Sequence, residues 1–143
     1  MIAVEKPVAE ALPTTFKTVD EFEQWERQYG GEGSYEFVRG RIIDKDKPKQ
    51  AHLFLLKFLT RLFAQTAAYA QGDELTPEMD SYIDDTRKRR PDLAYYTLAQ
   101  IEATRTGEKQ KTQFAIEILS ESESHQDVLD KVQDYFDAGV QLV

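Results

Sequence analysis

The chain has 143 residues, of which 41% are apolar and 31% charged, enough to bury the core of one globular domain. It contains no cysteine, which excludes a disulfide framework, a thiolate zinc site and a cysteine nucleophile together. The net charge of −8 argues against avid, non-specific DNA binding, because phosphate neutralisation needs Lys and Arg. Charge is unevenly placed: residues 39–61 carry seven Lys/Arg against two Asp, whereas residues 112–143 carry seven Asp/Glu against Lys131 alone. Either segment reads as a solvated surface, or the two together as a phosphate path beside an acidic site.

In chain order, residues 1–16 contain Pro7 and Pro13 and few large apolar side chains, and are expected to form a loose leader ahead of one domain, 17–143. They lack the continuous apolar stretch of a signal peptide, so the expected location is the cytoplasm. Thr18-Val-Asp-Glu21 is a capping box that opens a short amphipathic helix through Phe22, Trp25 and Tyr29, stopped at Gly30-Gly31. Residues 35–38 and 41–43 flank Arg39-Gly40 as a hairpin. A polar loop follows, then a helix to about Tyr69 whose wide apolar arc (Leu53 to Phe63) predicts a central packed helix. Lys57, Arg61 and Gln65 interrupt its apolar run, so it is not a membrane span. Gly72-Asp73 is a turn, 79–83 a strand, 84–91 a charged loop and 93–97 a strand. A short helical segment lies near 98–103 and a loop at 107–111. Residues 114–119 have the continuous apolar character of a buried strand. A helix from Ser124 to Ala138 ends at Gly139, and 140–143 begins another strand. This order predicts an α/β fold with a mixed central β-sheet flanked by helices.

Glu117 stands inside the apolar 114–119 run. There a carboxylate is either turned to water on an edge strand or buried with a partner or a metal. Asp92 follows Pro91 at a loop–strand junction; it either ends a turn or forms, with Glu117, a hard-oxygen site suited to Mg²⁺ or Mn²⁺. Lys131 borders the apolar stripe of the last helix, from which its ammonium can reach the Glu117 strand; the alternative is a surface pair with Asp127. Glu36 reads as an outward polar position of the first hairpin strand, and His52 as a core or capping histidine. Arg87, Lys88, Arg89 and Arg90 immediately precede Pro91-Asp92, either as a flexible basic loop or as a phosphate-binding stretch. There is no Gly-rich phosphate loop, Ser-His-Asp order or His-rich zinc spacing.

The ordered set Ser34-Tyr35-Glu36 with Gly40, His52, Arg90-Pro91-Asp92-Leu93-Ala94, Ile116-Glu117-Ile118-Leu119-Ser120, Asp127, Lys131, Tyr135 and Ala138-Gly139-Val140 resembles the Uma2 family. That family is itself similar to PD-(D/E)xK restriction-endonuclease-like proteins. The resemblance spans about residues 34–142 and implies a restriction-endonuclease-like fold. It implies a Mg²⁺- or Mn²⁺-dependent endonuclease hydrolysing DNA, with Asp92, Glu117 and the Ile118 carbonyl holding the metal. Lys131 would be the motif lysine, displaced onto the helix from the strand position where Leu119 stands. Glu36 matches an additional site carboxylate and His52 an accessory histidine. Relatives are expected to continue past the position of Val143, so the domain reads as shortened at its C-terminus. Many members of this superfamily bind without cutting, so the alternative is a non-catalytic protein or nucleic-acid interaction module on the same fold. A symmetric homodimer is expected from the strand edge at 140–143, and no membrane association.

Overall fold

The computed structural model describes residues 11–143, and the first ten residues of the expected leader lie outside it. The remainder of that leader is not loose throughout: Leu12 and Phe16 pack on the first core cluster. Helix α1, Val19–Tyr29, begins where the Thr18 hydroxyl accepts the Glu21 amide at 3.3 Å. Glu21 reaches back to the amide of Lys17 rather than Thr18, so the cap stands at Thr18 but only its threonine half follows the box. Its Phe22 is fully buried and stacks on Phe37 at 5.2 Å, while Trp25 meets Tyr35 edge-on.

Strands β1 (Tyr35–Val38) and β2 (Arg41–Asp44) form the predicted hairpin, with Val38 opposite Arg41. Arg39 and Gly40 both have positive φ (47° and 87°), the type I′ geometry that matches strand twist. Helix α2 is Gln50–Phe63, and Thr66 caps a separate short helix α3, Ala67–Ala70. Strands β3 (Glu74–Pro77), β4 (Ser81–Asp84), β5 (Arg87–Arg89) and β6 (Leu93–Tyr96) follow. Helix α4 (Leu98–Ala103) with a 3-10 turn, strand β7 (Phe114–Ile116) and helix α5 (His125–Asp137) complete the fold. Ser124 caps α5, and Gly139 at φ 86° ends it as the sequence predicts.

The sheet is divided in two. One sheet has the order β2-β1-β5-β4 and the other β3-β6-β7, both antiparallel. The expected strand at 140–143 contributes a single parallel bridge, Leu142 to Phe114. The Thr112 amide, which donates to Ser81 Oγ, stitches β4 to the approach of β7. Two small cores result: Val19, Phe22, Phe37 and Ile42 between α1 and the hairpin, and Ile83, Ala115, Tyr135 and Val140 under α5.

Two expectations are corrected. Helix α2 has no buried residue, and Phe54 and Phe58 are 70% and 55% exposed, so it is not the central packed helix. Its periodicity reports an apolar face without reporting what covers it. Residues 87–89 are not a loop but an inner strand. Arg87, Lys88 and Arg89 are 8%, 0% and 3% exposed, in spite of carrying three consecutive charges.

Candidate functional site

The register of β6 on β7 organises the site. Leu93 pairs with Ile116, so Asp92 and Glu117 are the next residues outward on the two chains where the ladder ends. Strand β7 stops at Ile116, shorter than the predicted 114–119 run, because the Asp92 Oδ2 carboxylate oxygen takes the Ile118 amide at 2.6 Å. A cavity of about 390 Å³ opens here, lined by Asp92, Glu117, Ile118, Glu36, Lys131 and His52, together with Lys45 and Glu123.

Each of the two acids is held by one oxygen and presents the other. Asp92 is fixed through Oδ2, and its Oδ1 faces the Lys45 ammonium at 3.5 Å. Glu117 accepts the Tyr135 hydroxyl on Oε1 at 2.6 Å, and its Oε2 faces the Lys131 ammonium at 3.9 Å. Tyr135 is fully buried, which makes that anchor rigid. Burial pushes the Glu117 carboxyl up to about 7; Lys131 pulls it back only in part, and the charge on Glu36 pushes it further up. The Lys131 ammonium is held above its ordinary range, because Glu117, Glu36 and a 3.0 Å bond to Glu123 outweigh its own burial. Glu117 and Lys131 are therefore not a balanced ion pair. The lysine keeps its charge through Glu117 and Glu36, with the Glu123 bond adding to them, beside a carboxyl whose affinity for its proton is raised by burial.

Glu36, 1% exposed, is fixed through both oxygens: Oε2 accepts the Arg90 amide at 2.8 Å and Oε1 the Arg89 guanidinium at 3.3 Å. It borders the cavity as a charge already satisfied from behind. His52, half-buried at the start of α2, lies at the cavity wall. The Asp127–Lys131 surface pair is not what forms; Lys131 turns to Glu123 and Glu117.

The phosphate-binding role expected of Arg87, Lys88, Arg89 and Arg90 is overturned, because internal acids consume their donors. Arg87 bonds Asp84, Asp134 and Asp137 at 2.7–2.8 Å. Lys88 sits among Glu23, Glu26 and Asp80, with Phe22 beneath its ammonium. Arg89 clamps Asp134 and Glu36, and Arg90 is tied to Asp80 at 2.8 Å. None is free to meet a polyanion.

Two contributors escape sequence reading, Glu123 and above all Lys45, and Tyr135, named there without a role, is the anchor of Glu117. The signal for Lys45 is strand alternation. Glu36 pairs with Ile43, so Ile43 and Lys45 share the face that carries Glu36.

The donor set suits a magnesium-type ion. Such an ion takes one or two carboxylates and keeps several waters, and here two carboxylates line one cavity, each with one oxygen facing a lysine ammonium rather than a fixed hydrogen-bond anchor. Among the described residues no three His, Asp or Glu side chains converge, so an all-protein cage of the calcium kind is not formed.

The chain is thus an α/β domain with a paired-acid cavity at the end of the β6–β7 ladder. Residues 19–143 match the model of the Uma2 family, described as "Putative restriction endonuclease", and the chain belongs to that family. Its fold is also similar to the crystal structure of a "putative nuclease belonging to DUF820" from Anabaena variabilis, with a TM-score of 0.62 at 20% sequence identity. That match covers 76% of this chain and 65% of the other, so this chain spans less than two thirds of that relative's length. No curated protein matches the chain significantly.

Proposed function

We propose that this chain is a Mg²⁺- or Mn²⁺-dependent endonuclease hydrolysing DNA phosphodiester bonds, with Asp92, Glu117 and the Ile118 carbonyl as the metal-holding groups. The observation that supports this most is the end of the β6–β7 ladder. Two acids flank it, each anchored through one oxygen and with the other facing a lysine ammonium. When bound, a divalent ion would activate a water and offset charge developing on the phosphate. Lys131, kept cationic and pointed at Glu117, is placed to orient that water and to stabilise negative charge as it develops. Glu36, locked by Arg89 and the Arg90 amide, orients the wall rather than donating to substrate.

With the 87–90 strand occupied internally, steering of the DNA backbone falls to the 39–61 segment, whose exposed Lys47 and Lys49 line the cavity mouth. Cutting both strands of a duplex needs two such sites, so a symmetric homodimer belongs to this reading. No helix among the described residues is long and apolar enough to cross a membrane.

The test is nicking of supercoiled plasmid in MgCl₂ and in EDTA by the wild type, Asp92→Asn and Lys131→Met. The expected result is Mg²⁺-dependent conversion by the wild type, reduced at least about 100-fold in each variant. Equal conversion by all three proteins would identify a contaminating nuclease and overturn the assignment.

A further inference from the structure

Lys45 lies outside every motif that marks the family resemblance, yet it is the cation nearest to Asp92. Its amide donates to the Ser34 carbonyl at 2.8 Å, which extends the hairpin ladder one residue past β2. That extension turns the side chain onto the Glu36 face and into the cavity. The side chain is 13% exposed, and its ammonium donates to the Arg90 carbonyl while facing Asp92 Oδ1 at 3.5 Å. Asp92 Oδ1 is the oxygen that the Ile118 amide leaves open. The Lys45 charge also reaches Glu117, where it favours the carboxylate form.

A cation shared by Asp92 and Glu117 needs the same two open oxygens. A magnesium ion binds carboxylate oxygen at about 2.1 Å, which leaves a divalent charge and the ammonium only a few ångströms apart. Such repulsion is strong in a partly desolvated cavity. The ammonium therefore has to withdraw before the ion settles, and its bond to the Arg90 carbonyl gives it a tether from which to move.

We propose that Lys45 is a built-in competitor for the metal: a tethered cation that neutralises Asp92 in the metal-free protein and sets how tightly a divalent ion can bind. This rests on the reading of Asp92 and Glu117 as the metal pair. Lys45 is thus a positioning and tuning residue, and its loss raises metal affinity where loss of a ligand lowers it.

The experiment is calorimetric titration of MgCl₂, and separately MnCl₂, into the wild type, Lys45→Gln, Lys45→Met and Asp92→Asn. It is run at pH 8. Urea unfolding of each protein establishes that it is folded, and Gln retains a donor for the Arg90 carbonyl should Met disturb the loop. Both Lys45 variants should bind the ion at least about tenfold more tightly than the wild type, and Asp92→Asn more weakly. If the wild type binds and Asp92→Asn does not, but the Lys45 variants equal the wild type, Lys45 is no competitor and the metal pair stands. If only the Lys45 variants bind, the competition is established and the wild type is a lysine-filled site, which overturns its assignment as a metal-dependent nuclease. If no protein binds either ion, the competition and the metal pair fall together.

Discussion

Replacing Glu117 by Gln should make the metal-free protein more stable at alkaline pH, although it removes a residue proposed to be essential. Burial raises the Glu117 carboxyl from an ordinary 4.5 to about 7 in the folded protein. Between those values the native state binds more protons than the unfolded chain. The stability Glu117 contributes is therefore complete below about pH 4.5 and is lost as pH rises through about 7. Each pKa unit corresponds to about 1.4 kcal/mol, so the ionised side chain costs on the order of 3 kcal/mol at pH 8. Gln stays neutral and can still accept the Tyr135 hydroxyl. The variant should gain most of that figure at pH 8, roughly 6–12 °C in Tm for a domain of this size, and almost nothing near pH 4. The assay is thermal unfolding of both proteins in EDTA from pH 4 to 8.5. A variant no more stable than the wild type at pH 8, or a gain that does not grow with pH, would refute the claim that this carboxylate is held against its solvation preference.

Two further predictions concern the parts of the fold where composition and burial disagree. Arg89→Met leaves Glu36 and Asp134, 1% and 3% exposed, short of their main counter-charge and should cost about 3 kcal/mol in urea unfolding, since Arg87 still holds Asp134. A cost under about 1 kcal/mol would show that this buried strand is not held by its ion pairs. Phe54→Ala on α2 should change stability by less than about 0.5 kcal/mol, and Phe22→Ala in the first core by about 3–5 kcal/mol; comparable losses would mean that α2 is covered in solution.

How much of this was legible in the residues depended on whether a local rule decided the matter. The Thr18 and Ser124 caps, the Arg39-Gly40 turn and the Gly139 stop each follow from a side chain or a φ angle, and all appear where the residues place them. Asp92 was legible as an acid at the start of a strand and Glu117 as one inside a strand, but what brings them to one ladder end is a matter of register. Register is set between β6 and β7, not within either. The strand β5 was illegible for a stronger reason. A run of Arg-Lys-Arg carries no alternation of polarity, and its burial depends on acids supplied by α1, β1, β4 and α5, scattered over more than a hundred positions. Helix α2 failed in the opposite sense: its apolar face is real, but a period cannot say whether a partner surface exists.

The buried cations of β5 shape the proposed site without lending it exposed positive charge. Buried ion pairs add little net stability over an apolar core, so the role of β5 is better sought in what it fixes. Arg89 bridges Glu36 on β1 to Asp134 on α5, and Asp134 lies one helical turn beyond Lys131. The same guanidinium that locks the cavity wall therefore locks the helix that carries the lysine. The Arg90 amide, next in the chain, completes Glu36, and the Arg90 carbonyl tethers Lys45. One short basic strand thus sets the position of three cavity residues while withdrawing its own charge from solvent. The surface is left more acidic than the composition suggests. On the proposed reading, DNA approach has to rely on the exposed lysines and arginine at 47, 49, 57 and 61, and with so few phosphate contacts binding should be weak and should fall only shallowly as salt rises.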